Sequence, residues 1–157
     1  CLEPDETRDI GMIYTDSGKY AIRAITYLAA CPEELLPVSA ADVAESESIP
    51  PYYLAKVLQD LARVGILESV RGRGGGFLLK NPPDEIRVMD VIKAVENTNR
   101  LTEDCVLGIA ECNDDVPCPM HETWQAFRES LLGRLEDMTV TDLVTEMERK
   151  RSHLGAS

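Results

Sequence analysis

No stretch of the chain reaches the ~20 consecutive apolar residues that cross a bilayer, and the opening CLEPDETRDIG is acidic and polar where a secretory leader is basic and then apolar. The sequence therefore reads as a soluble cytoplasmic protein with no membrane partner. Basic residues are scarce, 16 Lys and Arg against 28 Asp and Glu for a net charge of −12, which argues against indiscriminate attraction to nucleic acid or anionic lipid. There is no internal repeat and no low-complexity tract. A phosphate loop, a nucleophile–base pairing and a CxxC motif are all missing, so nothing points to an enzyme.

What is present suits a globular fold: 44% hydrophobic and 28% charged residues in 157 fit one compact domain, or a small domain plus an extension. Five cysteines are an odd number, and a disulfide framework is not expected in a reducing compartment, which makes metal or redox chemistry the better reading. Cys1 and Cys31 stand alone, whereas Cys105, Cys112 and Cys118 fall within fourteen residues. Charge is uneven too. Residues 1–11 carry −3 and 101–157 carry −7, leaving 12–100 nearly neutral at −2, so any nucleic-acid surface belongs in the middle segment.

Ala21, Ala24, Ile25 and Leu28 keep the spacing of one helical face, which predicts a helix from Met12 to just before Pro32. Ser39 with Asp42 three residues on resembles a capping box for a short second helix. After the SESIPP turn, Leu54, Val57, Leu58 and Leu61 form the stripe of a third helix, with Gly65 where a C-terminal cap belongs. ILESV and GFLLK flank RGRGG, two strand-like runs around a glycine-rich turn. Val88, Val91, Ile92 and Val95 begin a fourth helix. Farther on, Trp124, Phe127, Leu131, Leu135 and Met138 make a narrow apolar seam on a long helix, suited to a partner helix. Thr141 is placed to cap a last helix. Arg149, Lys150 and Arg151 would complement its C-terminus before a frayed tail.

The fold expected is mainly α with a small β-hairpin wing. A winged helix-turn-helix DNA-binding domain spans 12–98, a cysteine loop 99–120, and a dimerisation helix with a C-terminal helix 121–150, flanked by an extension or cloning remnant at 1–11 and a tail at 151–157. A recognition helix fits the major groove and reaches base edges from its N-terminal end. Tyr52, Tyr53, Lys56 and Gln59 are the residues so placed, and Arg71 and Arg73 on the wing tip can approach the minor groove. The bland alternative is a helical bundle with a small sheet, in which Lys56 and Arg63 are merely solvated.

Cys105, Cys112, Cys118 and His121 give the spacing C-x6-C-x5-C-x2-H, four ligands for either tetrahedral zinc or an iron-sulfur cluster. Spacing alone does not choose. Glu103, Asp104, Glu111, Asp114 and Asp115 surround the sulfurs, and no Lys or Arg occurs between Arg100 and Arg128. The thiols are therefore expected to be raised in pKa unless the fold brings a cation, and a bound metal would supply that charge itself.

The segments MIYTDSGKYAIRAITYLA, YYLAKVLQDLARVGILESVRGRGGGFLL and VMDVIKAVE, followed by the cysteine triplet, resemble the Rrf-two (Rrf2) family of bacterial winged-helix regulators over roughly residues 12–137. The resemblance implies a homodimeric transcriptional repressor that binds a double-stranded DNA operator under control of an iron-sulfur cluster sensing iron, cluster supply, redox state or nitric oxide. It implies Cys105, Cys112 and Cys118 as cluster cysteines and His121 as the ligand histidine of the IscR-like branch, favouring 2Fe-2S over 4Fe-4S. The first gap is one residue longer than in that branch. The nitric-oxide-sensing branch takes an acidic ligand from the first helix of the other subunit, where this chain has Lys19 with Asp16 nearby. The competing reading is a zinc-stabilised DNA- or protein-binding module without a sensing role.

Overall fold

The computed structural model describes residues 15–155, so the expected extension at 1–11 and the helical start at 12–14 lie outside the described residues. Helix α1 (Asp16–Ala30) buries Ala21, Ala24, Ile25 and Leu28 on the stripe expected of it. Cys31 follows, half-buried and packed against the core like any small apolar side chain. Helix α2 (Ala40–Glu47) is capped by Ser39, whose Oγ accepts from the Asp42 N–H at 3.1 Å and donates to the Asp42 carboxylate at 2.6 Å.

Helix α3 (Pro51–Arg63) starts on a proline, whose missing N–H would have no helical partner there. It buries Leu54, Val57, Leu58 and Leu61, each worth about 1.5–3 kcal/mol when removed from water. Its end is a Schellman motif: Gly65, at φ +82°, donates to Ala62 O at 3.1 Å and Ile66 donates to Leu61 O at 3.0 Å. The chain then turns directly into β1 (Leu67–Val70), which pairs antiparallel with β2 (Gly76–Leu79) in the register Leu67 opposite Leu79 and Val70 opposite Gly76.

A contact across the sequence anchors this hairpin. Val38, just ahead of α2, bridges Phe77: its N–H donates to Phe77 O at 3.1 Å and its carbonyl accepts from Phe77 N–H at 2.8 Å. Gly76 makes the approach possible, because a Cβ there would lie 2.2 Å from the Val38 carbonyl oxygen. Helices α1–α3 and the hairpin of the winged helix-turn-helix thus share one core, which Ile86, Val91 and Val140 from farther along the chain also enter.

Helix α4 (Val88–Val95) buries Val88, Val91 and Ile92 as expected. A one-turn α5 (Asn99–Thr102), α6 (His121–Asp137) and α7 (Val140–Gly155) complete the order. The apolar seam of α6 is divided. Leu131, Leu135 and Met138 pack with Val88, Met89 and Ile92 of α4 in a second core within this chain, while Trp124 and Phe127 stack on each other at 5.7 Å and leave Phe127 exposed. The seam is therefore not continuous: its second half, expected to suit a partner helix, is covered within this chain.

Three expectations at the C-terminus are also corrected. The cap of α7 is Thr139, not Thr141: its Oγ1 accepts from the Asp142 N–H at 3.2 Å, and the Asp142 carboxylate accepts from the Thr139 N–H at 2.8 Å. Those bonds from Thr139 hold the Asp142 carboxyl below its ordinary pKa. The supposed tail is helix as far as Gly155. Arg151 does not cap it; its guanidinium reaches Glu47 at 3.0 Å, a carboxylate only 5% exposed that also meets Arg23 Nε at 3.3 Å. A buried charge needs such partners, and the pairing fixes the end of α7 to the end of α2. Among the described residues, no helix is long and apolar enough to cross a membrane.

Candidate nucleic-acid interface and metal centre

The apolar face of α3 is spent on the core, so its opposite face is presented outward. Tyr52, Tyr53, Lys56 and Gln59 are all exposed there, Tyr52 at 80%, and the two tyrosine rings meet edge-on at 5.8 Å. A large aromatic left that open at a helix N-terminus does nothing for the fold. Arg71 and Arg73 are exposed at the other end of β1, on a tip whose backbone doubles back on itself: Gly75 donates to Gly72 O at 3.0 Å, and a Cβ on Gly75 would lie 2.2 Å from Val70 O. All six residues expected at a nucleic-acid surface stand on exposed faces of the reading head and its wing.

The cysteine loop is built by a reversal. Gly108 donates to Cys105 O at 2.9 Å, Cys105 to Ala110 O at 3.2 Å and Cys112 to Glu103 O at 2.8 Å, with Asp104 bridged to Glu111. Gly108 and Ala110 take the left-handed conformation that the turn requires. Cys112 is thereby folded back beside Cys105. At the start of α6, His121 donates its N–H to Cys118 O at 3.0 Å, which brings Cys118 to the same place.

Cys105, Cys112, Cys118 and His121 accordingly line one cavity of about 50 Å³, with Ile109 and Val116 on its wall. They stand as two pairs. Cys105 Sγ is 3.6 Å from Cys118 Sγ, and Cys112 Sγ is 3.2 Å from His121 Nδ1. His121 is buried, and its Nε2 lies 2.8 Å from the Asp114 carboxylate. An Nε2–H donated to that carboxylate would leave the Nδ1 lone pair toward the sulfur. Among the described residues, no three His, Cys, Asp or Glu side chains converge as ligands of a single metal ion would.

Sequence reasoning missed Asp114 as a partner of His121, and missed that Arg128 is the cation turned toward the loop. Arg128 is buried on α6, donates to Thr102 O at 3.1 Å and Asp104 O at 2.5 Å, and lies 5.4 Å from the Trp124 ring, whose Nε1–H also donates to Asp104 O at 3.1 Å. The fold does bring a cation to the sulfurs. The expectation of uniformly raised thiols is corrected: Cys105 is lowered, chiefly by the backbone N–H of Leu107, with further help from Ile109, Cys118 and Arg128. Cys118 is raised by burial and by its neighbour Cys105. On α1, Lys19 pairs with Asp16 at 2.9 Å.

The sequence profile of the Rrf2 family, described as iron-dependent transcriptional regulators, matches residues 14–146. The chain belongs to the Rrf2 family. The transcriptional regulator IscR of Klebsiella pneumoniae is 34% identical to this Rrf2 protein over 137 residues, covering 87% of this chain and 82% of the relative. Among solved structures, T. potens IscR superposes with a TM-score of 0.69 at 25% identity, covering 90% of this chain and 92% of that one. CymR, the global cysteine regulator of B. subtilis, superposes with a TM-score of 0.68 at 23% identity, covering 93% and 98%, which speaks to the fold alone. This Rrf2 chain is thus a transcriptional regulator with a winged helix-turn-helix head, and its relatives are regulators, not enzymes.

Proposed function

We propose that this Rrf2 regulator works as a homodimeric repressor whose operator binding is set by an iron-sulfur cluster, 2Fe-2S rather than 4Fe-4S, held by Cys105, Cys112, Cys118 and His121. The observation that carries the reading is the lining of one cavity by three sulfurs and an imidazole standing as two pairs. A two-iron cluster takes two protein donors at each iron, whereas tetrahedral zinc wants all four around one point, and no three converge among the described residues. That favours the cluster over the zinc-stabilised module. When bound, the cluster supplies a redox-active core that iron shortage, oxidant or nitric oxide can dismantle.

The chain's own residues link the pocket to the reading head. Arg128 and Trp124 fasten Thr102 and Asp104 to α6, and α6 packs through Leu131 and Leu135 on α4. Phe127, exposed on the first half of α6, would meet the second subunit. In a twofold dimer the two copies of α3 would sit about 34 Å apart, one DNA turn, on a palindromic operator.

Anaerobic purification followed by iron, sulfide and zinc quantitation tests the cofactor, and fluorescence anisotropy with operator DNA tests the coupling. Iron with acid-labile sulfide is expected. Cys112→Ala should abolish its uptake and shift operator affinity by about tenfold, within the ordinary span of allosteric coupling. One zinc without sulfide, or equal affinity of the two proteins, would defeat the reading.

The interface carries its own expected outcome. Arg71→Ala and Arg73→Ala should each weaken operator binding and reduce the slope of log K against log salt by about 1, the signature of one lost phosphate contact. Lys56→Ala should instead lower the discrimination between operator and scrambled duplex.

A further inference from the structure

We infer that Cys105 and Cys118 are a thiol–disulfide pair that a peroxide closes in the metal-free protein, while Cys112 stays reduced. The inference concerns the same pocket and depends on the proposed function only for its regulatory consequence. Its basis is geometric. The sulfurs of Cys105 and Cys118 are 3.6 Å apart, in van der Waals contact, and they bracket the loop, one following α5 and the other preceding α6. Each Cα is fixed from outside the pair. Cys105 is bonded through its N–H to Ala110 and through its carbonyl to Gly108, and the Cys118 carbonyl accepts from His121. Cys112 has a different neighbour. Its sulfur is 3.2 Å from His121 Nδ1, and its backbone is bonded to Glu103.

The chemistry balances with one hydroperoxide. One thiol sulfur of the pair attacks the O–O bond, forming S–O as O–O breaks, and the departing oxygen takes the thiol proton to leave as water. The second sulfur attacks the resulting sulfenic acid, S–S forms as S–O breaks, and the hydroxide released takes up the second thiol proton as a further water. Two thiols are oxidised and one peroxide is reduced. To form the bond the two sulfurs must close from 3.6 Å to about 2.0 Å.

The bond would remove two of the four donors from the pocket. An oxidised regulator could then accept no iron until a dithiol reductant had reopened it, so peroxide exposure would leave a memory in the cluster-free protein. Cys105 is buried and Cys118 half-buried behind a rim where Val116 and Ile109 are exposed, so the pair is within reach only of an oxidant as small as peroxide.

The test uses the full chain, stripped of metal, fully reduced and desalted without oxygen, then treated with one equivalent of hydrogen peroxide and blocked with iodoacetamide. Cleavage after Glu111 and before Asp115 puts the three cysteines on separate peptides for mass spectrometry. A crosslinked peptide joining Cys105 to Cys118, with Cys112 carbamidomethylated, is expected. Cys112→Ser should form the same crosslink at the same rate. Cys118→Ser should form none within the chain and should leave a dimedone-reactive sulfenic acid on Cys105.

A crosslink through Cys112, or oxidation to sulfinic acid with no crosslink in the wild type, would overturn the inference. The proposed function fails separately. If the reduced protein takes up no cluster, the operator reading is lost while the crosslink result stands on its own.

Discussion

Gly76→Ala is expected to cost the protein about 2–4 kcal/mol of stability and to free the wing from the helix-turn-helix. The added carbon would sit 2.2 Å from Val38 O, 2.4 Å from Val38 C and 2.8 Å from Ser39 N, all of them backbone, so no flexible side chain can move aside. Relief requires β2 to retreat from Val38. That breaks the two hydrogen bonds between Val38 and Phe77, worth about 0.5–1.5 kcal/mol each, and the crowding left once β2 has moved adds about 1 kcal/mol, the lower end of an overpacking cost. For a domain of this size the thermal midpoint should fall by roughly 5–15 °C. Hydrogen exchange separates the mechanism from general damage: the Val38 and Phe77 amides should lose protection before those of α3. Gly74→Ala is the control, because nothing lies within 4 Å of the added carbon and only the left-handed backbone, at about 1–2 kcal/mol, is penalised. A Gly76→Ala protein that melts with the wild type and keeps both amides protected would show that Val38 does not hold the wing.

The same position shows how far the sequence could be read. A glycine-rich turn between two strand-like runs was legible, because turn chemistry is local and glycine announces it. That the third of three consecutive glycines serves a backbone passing from Val38 was not, since the partner lies 38 residues away and has no pattern of its own. Helices α1, α3 and α4 were legible from their stripes, and the Gly65 cap with them. The one-turn α5 was not, for a single turn has no period to detect.

The end of α7 read as a tail because its apolar residues are sparse. What orders it is the bond from Arg151 to Glu47, a pairing across 104 residues. In the cysteine loop the ligand types and their spacing were visible. Their division into two pairs, and the cation that approaches them, depend on a reversal at Gly108 and Ala110 and on which face of α6 turns inward. Trp124, Phe127 and Leu131 shared one helical stripe in the sequence, yet the fold assigns them to different neighbours, because a stripe says that a face is apolar and not what will cover it.

Arg128→Met should loosen the cysteine loop by about 2–4 kcal/mol while leaving the reading head folded. The guanidinium makes two hydrogen bonds to carbonyls, at Thr102 and Asp104, and bonds from a charged donor are worth about 1.5–3 kcal/mol each before the methionine recovers part by packing. Asp104 O retains the Trp124 Nε1–H, so the carbonyl left bare is Thr102 O. The loss is confined to the junction of α5, the loop and α6, because Arg128 touches nothing in the reading head in the bonds it makes. Amides of Cys105 and Cys112, now bonded to Ala110 and Glu103, should exchange roughly 30 to 1,000 times faster, that range of free energy expressed as a rate ratio, with α3 unchanged. Losing the cation also removes one of the influences that lower Cys105, so its pKa should rise and the pH profile of its alkylation should move upward. Arg128→Lys keeps the charge but cannot fork between two carbonyls. It should therefore hold the alkylation profile near that of the wild type while losing much of the amide protection, and if both substitutions left exchange at the loop untouched, Arg128 would not be what couples these sulfurs to α6.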